Sequence, residues 1–275
     1  MPDSTEEDRA HPFPHSDEDA ARAARTPDTP QTRSPAYRLA FTDHDFLLRE
    51  ELRPVRLQLE LLKSQMMLDE AGVESTVVMF GGARIPAPEM ASAARTPILG
   101  DLSVYYEEAR LFAQAMTRRS IDTGGREFVI ATGGGPGVME AGNLGAWQAG
   151  GKSIGLGIVL PHEQAPNVYV TPELSFNFHY FAIRKMHFLM RARAITVFPG
   201  GFGTLDELFE TLTLIQTGRM KPVPILLFGR AFWDGIINWQ GLAECGTISD
   251  GDLDLIRYVE TAGEAVEIID GWPKP

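Results

Sequence analysis

Cysteine is nearly missing from this chain. Cys245 stands alone among 275 residues, so an internal disulfide cannot form and a zinc ribbon, which needs several thiolates, is excluded. Lying in the C-terminal region, away from the glycine-rich segments, Cys245 reads as a small semi-buried residue and not as a catalytic thiol. Long hydrophobic runs are missing too. No stretch reaches the about 18 apolar residues of a transmembrane helix, and no basic-then-apolar leader opens the chain. A cytoplasmic protein with no membrane partner is expected. Positive charge is scarce: 25 Lys and Arg face 37 Asp and Glu, a formal net charge of -12. Binding a phosphate backbone needs a concentrated basic surface, so no nucleic-acid partner is expected. His162, His179 and His187 lack the carboxylate spacing of a metalloprotease or facial triad, and no metal or cofactor is expected.

What is present is an ordinary globular composition, 44% hydrophobic and 23% charged. Residues 1–36 are rich in Asp, Glu, Pro, Ala, Ser and Thr, with little apolar beyond Phe13, and read as a disordered acidic tail. Residues 37–72 read as a helical extension. There Leu52, Val55, Leu59, Leu62 and Met66 recur at spacings of three and four, with Pro54 in the first turn and Gly72 at the end. That stripe suits packing on the domain or a subunit interface. Residues 73–275 then read as one domain. Six apolar runs are candidate buried strands: Thr76–Phe80, Phe128–Ala131, Ser153–Val159, Ala194–Phe198, Val223–Phe228 and Ala265–Ile268. Helical stretches separate several of them, at Ser103–Arg118, Gly137–Gly150, Phe178–Arg191, Thr204–Gln216 and Phe232–Ala243. Strands buried on both faces and joined by helices imply an α/β fold, a Rossmann-like doubly wound parallel sheet flanked by helices. Ligands of such sheets sit at the carboxyl ends of the strands.

Three strands run into glycine-rich turns: Gly81-Gly82-Ala83-Arg84, Thr132-Gly133-Gly134-Gly135-Pro136-Gly137, and Pro199-Gly200-Gly201-Phe202-Gly203-Thr204. Glycine lets the backbone turn sharply and lets an anion approach the N–H groups. The helix that follows leaves its first amides unpaired and adds the positive end of its dipole. The second and third turns, if they belong to neighbouring βα units, converge on one phosphate. Two familiar nucleotide motifs fail here. A GxGxxG fingerprint needs glycine at Val138 or Glu140, and Gly151-Lys152-Ser153 lacks the Walker A glycine at Ala146 and leads into a strand.

Charged residues flank these turns. Glu140 reads either as a dipole partner in the first turn of its helix or as an acceptor for a ribose diol. Thr204 and Glu207 have the spacing of a capping box, which accounts for both without any ligand, yet they stand at the mouth of the presumed phosphate site. Arg184, Lys185, Arg191 and Arg193 put four cations within ten residues, either as a solvated helix face or as the anion-facing wall of a pocket. Phe178-His179-Tyr180-Phe181 reads first as aromatic packing and also as a wall for a planar base.

The segments Thr132-Gly133-Gly134-Gly135-Pro136-Gly137-Val138-Met139-Glu140 and Pro199-Gly200-Gly201-Phe202-Gly203-Thr204-Leu205-Asp206-Glu207 resemble the paired signatures of the LOG (Lonely Guy) phosphoribohydrolases. Arg184-Lys185-Met186 precedes the second signature at the family's usual distance. Leu160-Pro161-His162-Glu163-Gln164 and Gln216 to Val223 match its connecting segments, and the resemblance spans about residues 75–270. It implies hydrolysis of the N-glycosidic bond of a nucleoside 5′-monophosphate, AMP or a cytokinin ribotide, to free base and ribose 5-phosphate. It implies Arg184 and Glu207 as the catalytic pair, Gly134, Gly135, Gly137, Gly200, Gly201, Gly203, Thr204 and Lys185 around the phosphate, and Glu140 on the ribose. It also implies a homodimer or larger homo-oligomer. The family's older label, lysine decarboxylase, finds no support in the residues, because pyridoxal phosphate needs a placed Schiff-base lysine and a partner for its ring nitrogen. The other reading of the same turns is a module that binds a nucleotide or cofactor without cleaving it.

Overall fold

In the computed structural model, which describes residues 13–161 and 165–273, the sheet is built around a fully buried, largely apolar segment. Thr76-Val77-Val78-Met79-Phe80 offers no polar face to water, so as a strand it is stable only with both faces covered. It forms β1 (Thr76–Phe80), with every residue buried. The further strands are β2 (Val129–Thr132), β3 (Ser153–Ile158), β4 (Ser175–Phe178), β5 (Ala192–Val197), β6 (Ile225–Phe228) and β7 (Ile256–Val259). They pair in the order β4-β3-β2-β1-β5-β6-β7, and every pair is parallel. Parallel neighbours need a crossover, and the helices supply it. The fold is therefore the expected α/β one, Rossmann-like and doubly wound.

Among the described residues, three α-helices precede the sheet: α1 (Ser16–Ala23), α2 (His44–Leu47) and α3 (Arg53–Glu70). Between β1 and β2 lie α4 (Pro97–Asp101) and α5 (Ser103–Asp122), and α6 (Val138–Gln148) joins β2 to β3. On the other wing α7 (Phe181–Leu189) joins β4 to β5 and α8 (Phe202–Gln216) joins β5 to β6. Two short helices, α9 (Arg230–Ile236) and α10 (Trp239–Glu244), lead to β7, and α11 (Ala262–Gly271) follows it. Along α5, Tyr106, Ala109, Phe112, Ala113, Met116 and Ser120 are buried at spacings of three and four, the stripe of a helix packed on a core. Its neighbour α6 comes very close, because a Cβ on Gly145 would overlap the Arg110 carbonyl oxygen. Phe112, Ile130, Phe198, Phe228 and Ile269 belong to the core on this face, where the rings of Phe198 and Phe228 stack at 4.1 Å.

The sheet departs from the sequence reading at its margins. β4 and β7 form the two edges, and both went unread because Ser175-Phe176-Asn177-Phe178 alternates and Ile256-Arg257-Tyr258-Val259 carries polar residues. Ala265–Ile268 is not a strand but part of α11, whose buried residues Ala262, Ala265 and Ile269 repeat at helical spacing. Thr261 caps that helix by accepting from the Glu264 N–H at 3.3 Å.

The described residues divide into two compact units between Leu59 and Glu60. Within the stretch read as a disordered tail, Ser16–Ala23 is helical, with Asp17, Glu18 and Asp19 in its first turn and Arg22 in its last, the charge order a helix dipole favours. None of residues 13–36 is buried, and residues 1–12 lie outside the described residues. In α3 the buried residues are Ser64 and Leu68, while Leu62 and Met66 of the apolar stripe remain exposed.

Candidate functional site

The strand order reverses between β1 and β5. At such a switch point the βα connections leave toward opposite faces of the sheet and a crevice opens at the carboxyl ends. A cleft of about 680 Å³ lies there, lined by the turns after β1, β2 and β5, the first turns of α8, and Phe181 and Arg184 of α7. One expectation needs correcting. The second and third glycine turns do not belong to neighbouring strands, because β1 stands between β2 and β5 and its own turn lies between theirs. That first turn joins the other two: Gly82 N–H donates to the Pro199 carbonyl at 2.9 Å, and Val138 N–H donates to the Gly82 carbonyl at 3.2 Å.

Glycine is needed in the second turn for two physical reasons. Gly134 and Gly137 have φ of 73° and 68°, where a side chain is strained, and a Cβ on Gly137 would also overlap the Gly82 carbonyl oxygen. Asn167 then braces the turn, its amide donating to the carbonyls of Gly134 at 3.1 Å and Gly135 at 3.0 Å and to Asn143 Oδ1 at 2.9 Å. The cleft wall takes Gly133 and Met139 from this segment. Gly134, Gly135 and Gly137 lie behind it as support. Glu140 also stands back from the wall and accepts a hydrogen bond from Tyr106 Oη at 3.1 Å.

The third turn is more open. A Cβ on Gly201 or Gly203 would meet nothing within 4 Å, so both present bare backbone to the cleft. The helix that follows begins at Phe202 with Gly201 as its N-cap and no side-chain cap. The capping-box reading of Thr204 and Glu207 is therefore overturned: the helix starts before Thr204, and neither side chain closes its end. Thr204 is instead buried in the first turn beneath Gly200, where a Cβ would overlap its hydroxyl. The amides of Phe202, Gly203 and Thr204 have no partner within the helix.

Glu207 lines the cleft one turn further along. It is only 6% exposed, and its Oε2 makes no hydrogen bond. Burial pushes its carboxyl up to about 7; Lys185 and Arg184 pull it down, and Glu210 and Asp206 raise it further. Across the cleft α7 is held in place by Glu60, which accepts from the His179 and Tyr180 N–H groups at 2.8 and 3.1 Å at the helix entrance. That anchoring sets Arg184, which donates from Nε to the Leu156 carbonyl at 2.7 Å and lies over the Phe188 ring at 5.0 Å. The guanidinium closely approaches Gly133, since a Cβ there would come within 2.8 Å of it.

Of the four clustered cations only Arg184 reaches the cleft. Arg191 instead donates to the Val73 carbonyl and pairs with Asp69 at 2.7 Å. Lys185 Nζ is held between Asp206 and Glu210, at 2.7 Å from each, and stands 4.0 Å from Glu207 Oε2. Among the described residues, no group of three His, Cys, Asp or Glu is placed to hold a metal ion, and no helix is long and apolar enough to cross a membrane.

The family model described as possible lysine decarboxylase matches residues 139–269. A bifunctional cytokinin biosynthesis protein of Fusarium pseudograminearum is 37% identical over 27% of this chain and 15% of its own length. The cytokinin riboside 5′-monophosphate phosphoribohydrolase LOG2 of Arabidopsis thaliana is 26% identical over 63% of this chain and 78% of its own. Over these stretches the chain is similar to the LOG family. Among solved structures, the Moco carrier protein of Chlamydomonas reinhardtii aligns over 72% of this chain and 96% of its own, with a TM-score of 0.45 and 16% identity.

The residues of this chain do not fit the decarboxylase in that model's description. Among the described residues no lysine lines the cleft, and Lys185 is committed to carboxylates. Arg184, Gly200, Gly201, Gly203, Thr204 and Glu207 do line it. Sequence reasoning did not single out Phe202, Phe232 or the first glycine turn as site residues. Only for that turn was there a signal, its glycines directly after a buried strand.

Proposed function

We propose that this chain hydrolyses the N-glycosidic bond of a nucleoside 5′-monophosphate, AMP or a cytokinin riboside 5′-monophosphate, to free base and ribose 5-phosphate. The observation that carries this reading is a buried carboxylate oxygen of Glu207 without a hydrogen-bond partner, beside Arg184 and the uncapped start of α8. A buried polar atom left unpaired is costly, and its retention in a cleft marks it for a ligand. The relatives named as cytokinin riboside 5′-monophosphate phosphoribohydrolases support the same chemistry.

In this reading the first amides of α8 and the Arg184 guanidinium receive the phosphate, so binding at the unreactive end orients the ribose. Breaking the C1′–N bond builds positive charge on C1′ and O4′. Ionised Glu207 stabilises that charge and accepts a proton from the attacking water. The water oxygen bonds to C1′, the electron pair of the C1′–N bond leaves with the base, and the base takes up a proton from solvent. Arg184 stays protonated and contributes charge, not a proton.

Incubating the protein with AMP, GMP, CMP and N6-isopentenyl-AMP and separating free bases by chromatography tests this. At least one base is released, and Glu207→Gln lowers the rate about 100-fold or more. Binding of all four with no base released would reject hydrolysis and leave a nucleotide-binding module. The same reading places the protein in the cytoplasm as a homodimer or larger homo-oligomer. Exposed Met186 of α7 and Met190 just after it offer apolar surface for such an assembly, which mass photometry checks.

A further inference from the structure

Lys185 is the cation beside Glu207 that the reaction scheme leaves without a task. Its side chain is 15% exposed, and its ammonium stands 2.7 Å from Asp206 Oδ2, 2.7 Å from Glu210 Oε2 and 4.0 Å from Glu207 Oε2. An ammonium has three N–H donors. Two are directed at Asp206 and Glu210, which sit four residues apart on one face of α8, and the charge faces Glu207 between them. A lysine held this way has little left for a phosphate, and it is not part of the cleft wall.

We propose that Lys185 is a positioning residue, the half-buried counter-charge that keeps Glu207 ionised and fixes α8 against α7, and not a ligand of the substrate phosphate. The proposal rests on Glu207 acting as a carboxylate, as in the hydrolysis above. The charged groups around Glu207 are Lys185 and Arg184 from α7, Asp206 and Glu210 from α8, and Arg84, which lines the same cleft from the turn after β1. Burial works against the ammonium, yet its two carboxylate partners hold its pKa above the ordinary lysine value. It therefore remains charged while Glu207 titrates. Its removal takes away an attraction and leaves Asp206 and Glu210 repelling Glu207, so both effects favour the protonated carboxyl.

The test compares the acid limb of kcat/KM on one 5′-monophosphate, so that ionisation of the substrate phosphate is common to every variant. In Lys185→Met the limb moves up by about one pH unit, and in Lys185→Arg it stays within about 0.3 of wild type. A carboxyl-selective carbon NMR titration of Glu207, without substrate, shows the same displacement. Glu210→Gln removes a repelling charge outside the cleft wall and moves the limb down, on the order of 0.3. That variant decides the matter should Lys185→Met fail to fold. An unmoved limb and titration in Lys185→Met, with KM alone raised, would overturn the proposal and make Lys185 a phosphate ligand. So would an unmoved or raised limb in Glu210→Gln. If no base is released at all, the hydrolysis fails, while the NMR titration still decides the coupling between Lys185 and Glu207.

Discussion

Glu207 answers two opposed demands. The proposed hydrolysis needs a charged carboxylate, whereas a site 6% exposed penalises it, and the compromise is a carboxyl pushed up to about 7. The sign of the stability effect follows. A carboxyl whose folded pKa lies above its unfolded value binds protons more tightly when folded, so its contribution is most favourable below the unfolded value near 4.5. That contribution is lost as the pH climbs to about 7. Glu207→Gln removes this penalty. Its melting temperature is expected to exceed that of wild type at pH 8, by the equivalent of up to about 3 kcal/mol, with the gap closing toward pH 4.5. Calorimetry at the two pH values checks it, and a variant less stable at pH 8 would contradict the burial argument. Arg184 carries a different expectation. Arg184→Ala weakens AMP binding about tenfold or more and adenosine binding less, because the lost donor serves the phosphate. Titration calorimetry with both ligands separates the two, and equal losses would move Arg184 away from the phosphate.

At the scale of elements, the glycine turns divide into support and contact. Gly137 combines a φ of 68° with a Cβ position already filled by the Gly82 carbonyl, whereas Gly203 has open space where a Cβ would go. Gly137→Ala is therefore expected to cost about 2 kcal/mol or more of stability. Gly203→Ala leaves urea unfolding near wild type and instead raises KM, because the methyl stands where the anion approaches the helix amides. Denaturation and kinetics on the pair give the contrast, and a Gly203→Ala variant with unchanged KM would remove the α8 entrance from the site. The same scale explains the motif residues that stand back from the cleft. Gly134 and Gly135 hand their carbonyls to Asn167, and Gly133 is left as the glycine of that turn in the wall.

At the scale of the whole molecule, the proposed function belongs to the sheet and its switch point. None of residues 13–36 is buried, so deleting residues 1–36 is expected to leave the melting temperature within about 2 °C and base release unchanged. A loss of activity on deletion, seen in the same chromatographic assay, would assign that segment a part in catalysis. The central strands β1, β2, β5 and β6 were legible because strands buried on both faces need unbroken apolar runs. The edges were not. Phe176 and Phe178 alternate with exposed Ser175 and Asn177, a pattern too short to distinguish from a loop. The apolar residues of α11 came close enough together in sequence to imitate a strand until its helical spacing set them on one face.

From the chain alone came the α/β class and the three glycine turns, because each depends on residue type and local spacing, while the resemblance to the LOG motifs singled out Arg184 and Glu207. Left open was where those residues point. Thr204 and Glu207 satisfy a capping box on paper, and only the helix starting at Phe202 shows that the carboxylate is unspent. Lys185 and Arg184 are adjacent in sequence, yet successive side chains on a helix diverge by about 100°. That divergence sends one into a trio of carboxylates and the other into the cleft, a difference that appears only when α7 is packed against α8 and the sheet.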